Sequence, residues 1–205
     1  MSDKRGPSGV QVEILDREEC YRGFFRMEKY RLRHRLYNGG MSPQIERELF
    51  ERGHAAAVLL YDPHRDRVVV LEQFRIGALE APGGPWLLEI VAGMIEPGEL
   101  AEEVVRRESQ EEAGCSVGEL EFICDYLVSP GGTSERISLY CGRVESEGAG
   151  GVHGLDSEDE DILVRAVPFA EAWQWFEQGE INSASPIIAL QWLKMHRERL
   201  RERWR

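Results

Sequence analysis

The chain has 205 residues, enough for one full core and a modest appendage, and its hydrophobic content of 42% is ordinary for a folded domain. A formal net charge of −12 argues against duplex nucleic acid as a partner, because one polyanion repels another; a small phosphate ester remains compatible if cations and a few placed arginines screen it. No run of about 18 apolar residues occurs, which excludes a membrane-spanning helix, and the opening MSDKRGPSGV lacks the apolar segment of a secretory signal, so a cytoplasmic location is expected.

From Gln11 to Leu15 and from Phe24 to Tyr37 the pattern has period two: Tyr30, Leu32, His34 and Leu36 alternate with Arg31, Arg33 and Arg35, as in a half-buried strand. His34 falls on the apolar side and reads as a packed core residue rather than a ligand. Asn38-Gly39-Gly40 is a hairpin signal. Residues 1–50 thus read as a small antiparallel sheet without a helix. Such a sheet cannot cover both its faces, so it is expected to dock on something, and a second subunit is the natural choice.

Next come two apolar runs, His54–Tyr61 and Arg67–Arg75, around the turn Asp62-Pro63-His64-Arg65-Asp66. Ala78–Pro85 reads as a loop and Leu87–Val91 as a short buried strand. Pro97-Gly98 is a turn, after which strong helix formers run from Glu99 until Gly114 stops them. Leu120–Val128 and Ile137–Val144 read as strands flanking the loop Ser129–Arg136. Gly148–Gly154 reads as flexible, Asp156–Asp161 is acidic, and Ile162–Val167 is a last strand. Two helices close the chain, near Phe169–Gln178 and Ser185–Arg203. The four cysteines show no metal spacing, and Cys115, Cys124 and Cys141 sit among apolar residues as buried thiols.

The chemistry is densest on the helix after Pro97-Gly98. Glu108, Glu111 and Glu112 stand at i, i+3 and i+4 and share one face. Like charges at that spacing cost about 0.2–0.5 kcal/mol per pair in an isolated helix, so a positive charge is expected among them. With oxygen ligands alone and no Cys or His nearby, a hard cation such as Mg²⁺ suits the face better than zinc. The competing reading of spacing alone is a solvated acidic surface.

A longer pattern decides between them. Gly93, Glu99, Arg107, Glu108, Glu111, Glu112 and Gly114 fall on the motif G-x5-E-x7-R-E-U-x-E-E-x-G-U, where U is bulky and apolar; Ser109 and Cys115 occupy the U sites. The chain resembles the Nudix hydrolases, and specifically their bacterial ADP-ribose pyrophosphatase branch. The nearer likeness is carried by Y-R-G-F-F at Tyr21–Phe25, F-E-R-G-H-A-A at Phe50–Ala56, E-Q-F-R at Glu72–Arg75, P-W-L-L-E-I-V-A-G-M-I-E at Pro85–Glu96, S-P-G-G-T-S-E-R at Ser129–Arg136, G-L-D-S-E-D-E-D-I at Gly154–Ile162 and I-A-L-Q-W-L at Ile188–Leu193.

The resemblance implies an α/β fold: a Nudix α/β/α sandwich with a mixed sheet over residues 51–205, and an N-terminal β subdomain over 1–50 that dimerises by exchange. It implies Mg²⁺, with Mn²⁺ as a substitute, held by Glu108, Glu112, Glu160 and the Ala92 carbonyl, with Glu111 acting directly or through water. Glu158 is the implied general base. Phe24, Phe25, Arg47, Arg52, Arg75, Met94, Ser129, Pro130, Gly131 and Glu135 match substrate-binding positions, and Pro130 matches the proline that marks ADP-ribose specificity. Arg107, Glu99, Gly93 and Gly114 are implied supports of the metal face. The expected function is hydrolysis of ADP-ribose to AMP and ribose 5-phosphate by a homodimer. The alternatives are a pyrophosphatase for another nucleoside diphosphate sugar such as GDP-mannose, and a non-catalytic module that senses ADP-ribose derivatives.

Overall fold

The protein is seen in a computed structural model that describes residues 11–155, 157 and 159–204. It divides into two compact units, one comprising the chain up to Gly53 together with Leu127–Glu135, the other His54–Tyr126 with Arg136–Arg205.

The first unit is built on three antiparallel strands, β1 (Val12–Arg22), β2 (Arg26–His34) and β3 (Ile45–Glu51), in that order. Alternation on β2 turns Glu28 inward, where Arg17 donates Nη2–H and Nε–H to its carboxylate at 2.6 and 2.9 Å and Tyr30 donates its hydroxyl at 3.0 Å. The Arg17 bond, with Tyr30, outweighs desolvation and holds the Glu28 carboxyl below its ordinary range. β1 is exposed along its whole length, Ile14 to 62% and Tyr21 to 66%. His34, expected in the core, is exposed with Nδ1 3.1 Å from the Arg35 carbonyl. The β1–β2 ladder ends at Val12↔His34, and among the described residues the ring stays exposed there. β3 was invisible to periodicity: I-E-R-E-L-F-E carries apolar residues at helical spacing, and its strand exists because it pairs with β2 from Ile45↔Leu32 to Glu51↔Arg26. The segment Leu127–Glu135 belongs to this unit through the Phe50 N–H, which donates to the Gly132 carbonyl at 2.8 Å, and a parallel bridge from Phe50 to Thr133.

The second unit is a mixed sheet between helices. Its strands are β4 (Ala55–Asp62), β5 (Arg67–Phe74), β6 (Trp86–Glu89), β7 (Val91–Met94), β8 (Leu120–Leu127), β9 (Arg136–Arg143), β10 (Gly150–His153) and β11 (Ile162–Pro168). The main path runs β10-β11-β5-β4-β9-β8, with β6 added to β5 and β7 to β4. β4 lies parallel to β9 and antiparallel to β5 and β7. Every residue of β4 is buried, as expected of a strand covered on both faces. Ala56, Val58 and Leu60 pack with Val104, Val105 and Ala113 of helix α1 (Ala101–Ala113). Ala57, Leu59 and Tyr61 pack on the opposite side with Phe169 of α2 (Phe169–Gln178) and Leu190, Leu193 and Leu200 of α3 (Ala184–Arg203). The unit is therefore an α/β/α sandwich, as the motif implies.

Two expectations change. The run Leu87–Val91 is not one strand: it breaks at Ile90, so that β6 pairs with β5 and β7 with β4. The glycine-rich stretch read as flexible contains β10, because Gly150–His153 pairs with Ile162–Arg165. A two-strand hairpin thus carries Asp159, Glu160 and Asp161 between its strands.

Candidate active site

The metal-motif residues converge on one end of the sheet in the second unit. Gly98, at φ 91°, reverses the chain after β7, and the Glu103 carboxylate reaches back to accept the Leu100 N–H at 3.0 Å, starting α1 at Ala101. Gly114, at φ 62°, ends it in the left-handed conformation. Ser109 and Cys115, smaller than the bulky residues usual at those sites, are both buried; Ser109 satisfies its hydroxyl by donating to the Val105 carbonyl at 2.5 Å.

Arg107 places its guanidinium among the glutamates. It donates Nη1–H to Glu108 at 2.8 Å and to Glu111 at 3.0 Å, and Nε–H to Glu99 at 3.1 Å. Glu99 in turn accepts the Glu96 N–H at 3.2 Å, so the turn before the helix and the acidic face are tied through one guanidinium. These bonds, that to Glu99 foremost, raise the pKa of Arg107 and lower that of Glu99.

Glu108 and Glu112 face β7. A Cβ at Gly93 would lie 1.8 Å from Glu108 Oε1, so only glycine lets the carboxylate cross the strand there. Glu112 is 2% exposed and accepts the Ala92 N–H at 3.0 Å. Desolvation pushes its carboxyl up to about 8; the Ala92 bond opposes this, while the charges of Glu108 and Glu160 add to it. Desolvation likewise raises Glu108, against the pull of Arg107. Glu160 sits at the tip of the β10–β11 hairpin and accepts the Leu155 N–H at 3.2 Å. Arg75 donates Nε–H to Glu89 at 2.7 Å, a partner that the sequence did not suggest, and its charge also reaches Glu112. Met94 ends β7, half-buried opposite Ala55.

These groups suit a hard divalent cation. Their ligand atoms are all oxygen, and a buried carboxylate beside two others is held as an anion only if a positive charge joins it. Among the described residues no three side chains already close on a single ion-sized point, since Glu108 is turned to Arg107, Glu112 to Ala92 and Glu160 to Leu155. A cation would take over those bonds. Glu158, the expected base, lies outside the described residues.

The remaining candidates lie in the first unit. Arg52 Nε stands 3.4 Å from Glu135 Oε1, and its guanidinium lies over the Phe25 ring at 5.1 Å. Phe25 contacts Phe50 edge-on at 5.2 Å and Phe24 at 4.8 Å, and Phe24 is 87% exposed. Ser129 closes the loop turn, its carbonyl accepting the N–H groups of Gly132 and Thr133. Pro130 is exposed, and a Cβ at Gly131 would meet nothing within 4 Å. Arg47 is exposed on β3 and donates to the Glu46 carbonyl at 2.7 Å.

The profile described as NUDIX domain matches residues 51–191. The chain belongs to the Nudix family. The motif helix of the family is α1. Over 193 residues this Nudix chain is 53% identical to the ADP-ribose pyrophosphatase of Escherichia coli (strain K12), covering 94% of this chain and 92% of that protein. It is 34% identical over 185 residues to the GDP-mannose pyrophosphatase of Pectobacterium atrosepticum, covering 88% and 92%. A crystal structure of an ADP compounds hydrolase shares the fold at a TM-score of 0.68, with 21% identity over 94% of this chain and 98% of that one.

Proposed function

We propose that this protein hydrolyses the diphosphate of ADP-ribose with water, giving AMP and ribose 5-phosphate. The observation that carries the reading is the buried acidic face of α1, where Glu112 and Glu108 lie against β7 with Glu160 beside them. The choice of substrate is supported by the 53% identity, spread over nearly the whole chain, to a protein that bears this activity in its name.

Glu108, Glu112, Glu160 and the Ala92 carbonyl would hold Mg²⁺, with Mn²⁺ as a substitute, and Glu111 would bind directly or through water. When bound, the cation neutralises diphosphate oxygens and lowers the pKa of a coordinated water. The chain's own residues do the rest. Glu158 takes a proton from the attacking water. Arg75, Arg47 and Arg52 present planar forks to phosphate oxygens. Glu135 accepts from ribose hydroxyls, Phe24 or Phe25 stacks on the adenine, and Met94, Ser129, Pro130 and Gly131 line the substrate. Arg107, Glu99, Gly93 and Gly114 hold the acidic face in place.

The protein acts as a cytoplasmic homodimer in which the N-terminal sheet lies on the partner subunit. The apolar side chains left open on β1, with Phe24, support this. No described helix is long and apolar enough to cross a membrane. Against a purely sensing module stands the complete set of motif acids, Glu99, Glu108, Glu111 and Glu112. The test is chromatography of products from ADP-ribose, GDP-mannose and related dinucleotide sugars, with Mg²⁺ and with EDTA. Cleavage of ADP-ribose in preference, abolished by EDTA, is expected; equal or faster cleavage of GDP-mannose defeats the assignment.

A further inference from the structure

Glu51 has no part in the metal motif, yet one of its oxygens binds Gly53 and Ser134, the chain neighbours of the Arg52–Glu135 pair. It ends β3, and its Oε1 accepts the hydroxyl of Ser134 at 2.8 Å and the N–H of Gly53 at 3.3 Å. The second bond folds the carboxylate back over its own chain and fixes the turn that presents Arg52, with Gly53 at φ 81°. The first bond holds the loop residue immediately before Glu135. The Phe50 N–H already anchors the same loop through Gly132, and Thr133 Oγ1 accepts the Glu135 N–H at 3.2 Å. Arg52 and Glu135 meet at 3.4 Å as a consequence, with Arg52 Nε buried and forming no hydrogen bond among the described residues. The guanidinium lies over the Phe25 ring, so the pair is held from that side as well.

We propose that Glu51 is a positioning residue for substrate: it sets the register between the Arg52 turn and the Ser129–Glu135 loop, so that guanidinium and carboxylate meet the nucleoside part of the substrate together. This rests on the ADP-ribose reading above. Because the metal face is built from other residues, loss of Glu51 acts on KM rather than on kcat.

The test is steady-state hydrolysis of ADP-ribose by the full chain with Mg²⁺, for wild type, Glu51→Ala, Glu51→Gln, Ser134→Ala and the double variant Glu51→Ala/Ser134→Ala. Glu51→Ala removes two accepted hydrogen bonds and raises KM about tenfold, with kcat within about twofold of wild type. Ser134→Ala raises KM about threefold, and the double variant is no worse than Glu51→Ala because both act through one contact. Glu51→Gln keeps an acceptor oxygen and restores KM to near the wild-type value. An unchanged KM in Glu51→Ala, a loss confined to kcat, or fully multiplicative effects in the double variant overturn the proposal. If circular dichroism shows Glu51→Ala unfolded, Ser134→Ala decides, and an unchanged KM there overturns it. Wild type that fails to cleave ADP-ribose instead overturns the substrate reading, and this inference with it.

Discussion

Replacing Glu112 by glutamine is expected to inactivate the enzyme and yet to stabilise the metal-free fold. In the unfolded chain the carboxyl titrates near 4.5, whereas burial and the neighbouring glutamates raise it to about 8 in the fold. A raised folded-state value means that the folded protein binds a proton that the unfolded chain has released. Its contribution is fully present below pH 4.5 and is lost as pH rises through 8. At pH 8 the wild type without cation has therefore forfeited on the order of 4 kcal/mol, an upper figure since water entering the site relaxes the penalty. The amide introduced by Glu112→Gln is neutral at every pH, still accepts the Ala92 N–H through its carbonyl oxygen, and offers donors to Glu108 and Glu160. Thermal unfolding in EDTA at pH 8 should show the variant melting higher by up to about 10 °C, with the gap closing towards pH 5. Adding Mg²⁺ should raise the melting temperature of the wild type and leave the variant unmoved, while kcat falls by several orders of magnitude. A variant that melts lower than wild type in EDTA at pH 8, or that keeps its response to Mg²⁺, would show that Glu112 is neither strained by burial nor a cation ligand.

Asp62 is the opposite case. Burial alone would raise its carboxyl, but the N–H groups of Arg65 and Ser146 and the Ser146 hydroxyl outweigh burial and hold it at about 2. Its contribution is thus present above pH 3.8 and lost as pH falls through 2. Asp62→Ala should cost about 3 kcal/mol at pH 7 by chemical denaturation, because the buried Ser146 N–H loses its acceptor. Glu158→Gln should lower kcat with little change in KM, and near-native turnover would assign the base to another residue. Deleting residues 1–45 should give a monomer by light scattering with weak substrate binding; a truncated dimer would exclude exchange of the N-terminal sheet.

What the sequence revealed follows from the distance over which each feature is determined. The acidic face was legible because Glu108, Glu111 and Glu112 are related by the period of one helix, and Gly93 and Gly114 mark its approach and its end. β4 and β5 were legible because their apolar runs are bounded by a turn. β3 was not, since its residues favour a helix and only pairing with β2 makes them a strand. The break at Ile90 depends on β5 and β4 offering separate edges to β6 and β7. Glu51 was hidden for the same reason: Ser134, its partner, lies 83 residues away, and no local pattern links them. His34 misled because alternation reports which face a side chain takes, not whether a layer covers that face.

If a divalent cation on the Glu108–Glu112 face is what makes this acidic protein receptive to a diphosphate, cation and diphosphate should bind side by side. Crystals grown with Mg²⁺ and a non-cleavable ADP-ribose analogue test it most directly. Cation density is expected among Glu108, Glu112 and the Ala92 carbonyl, with the diphosphate against it. A bare glutamate face, with the analogue bound elsewhere, would contradict it.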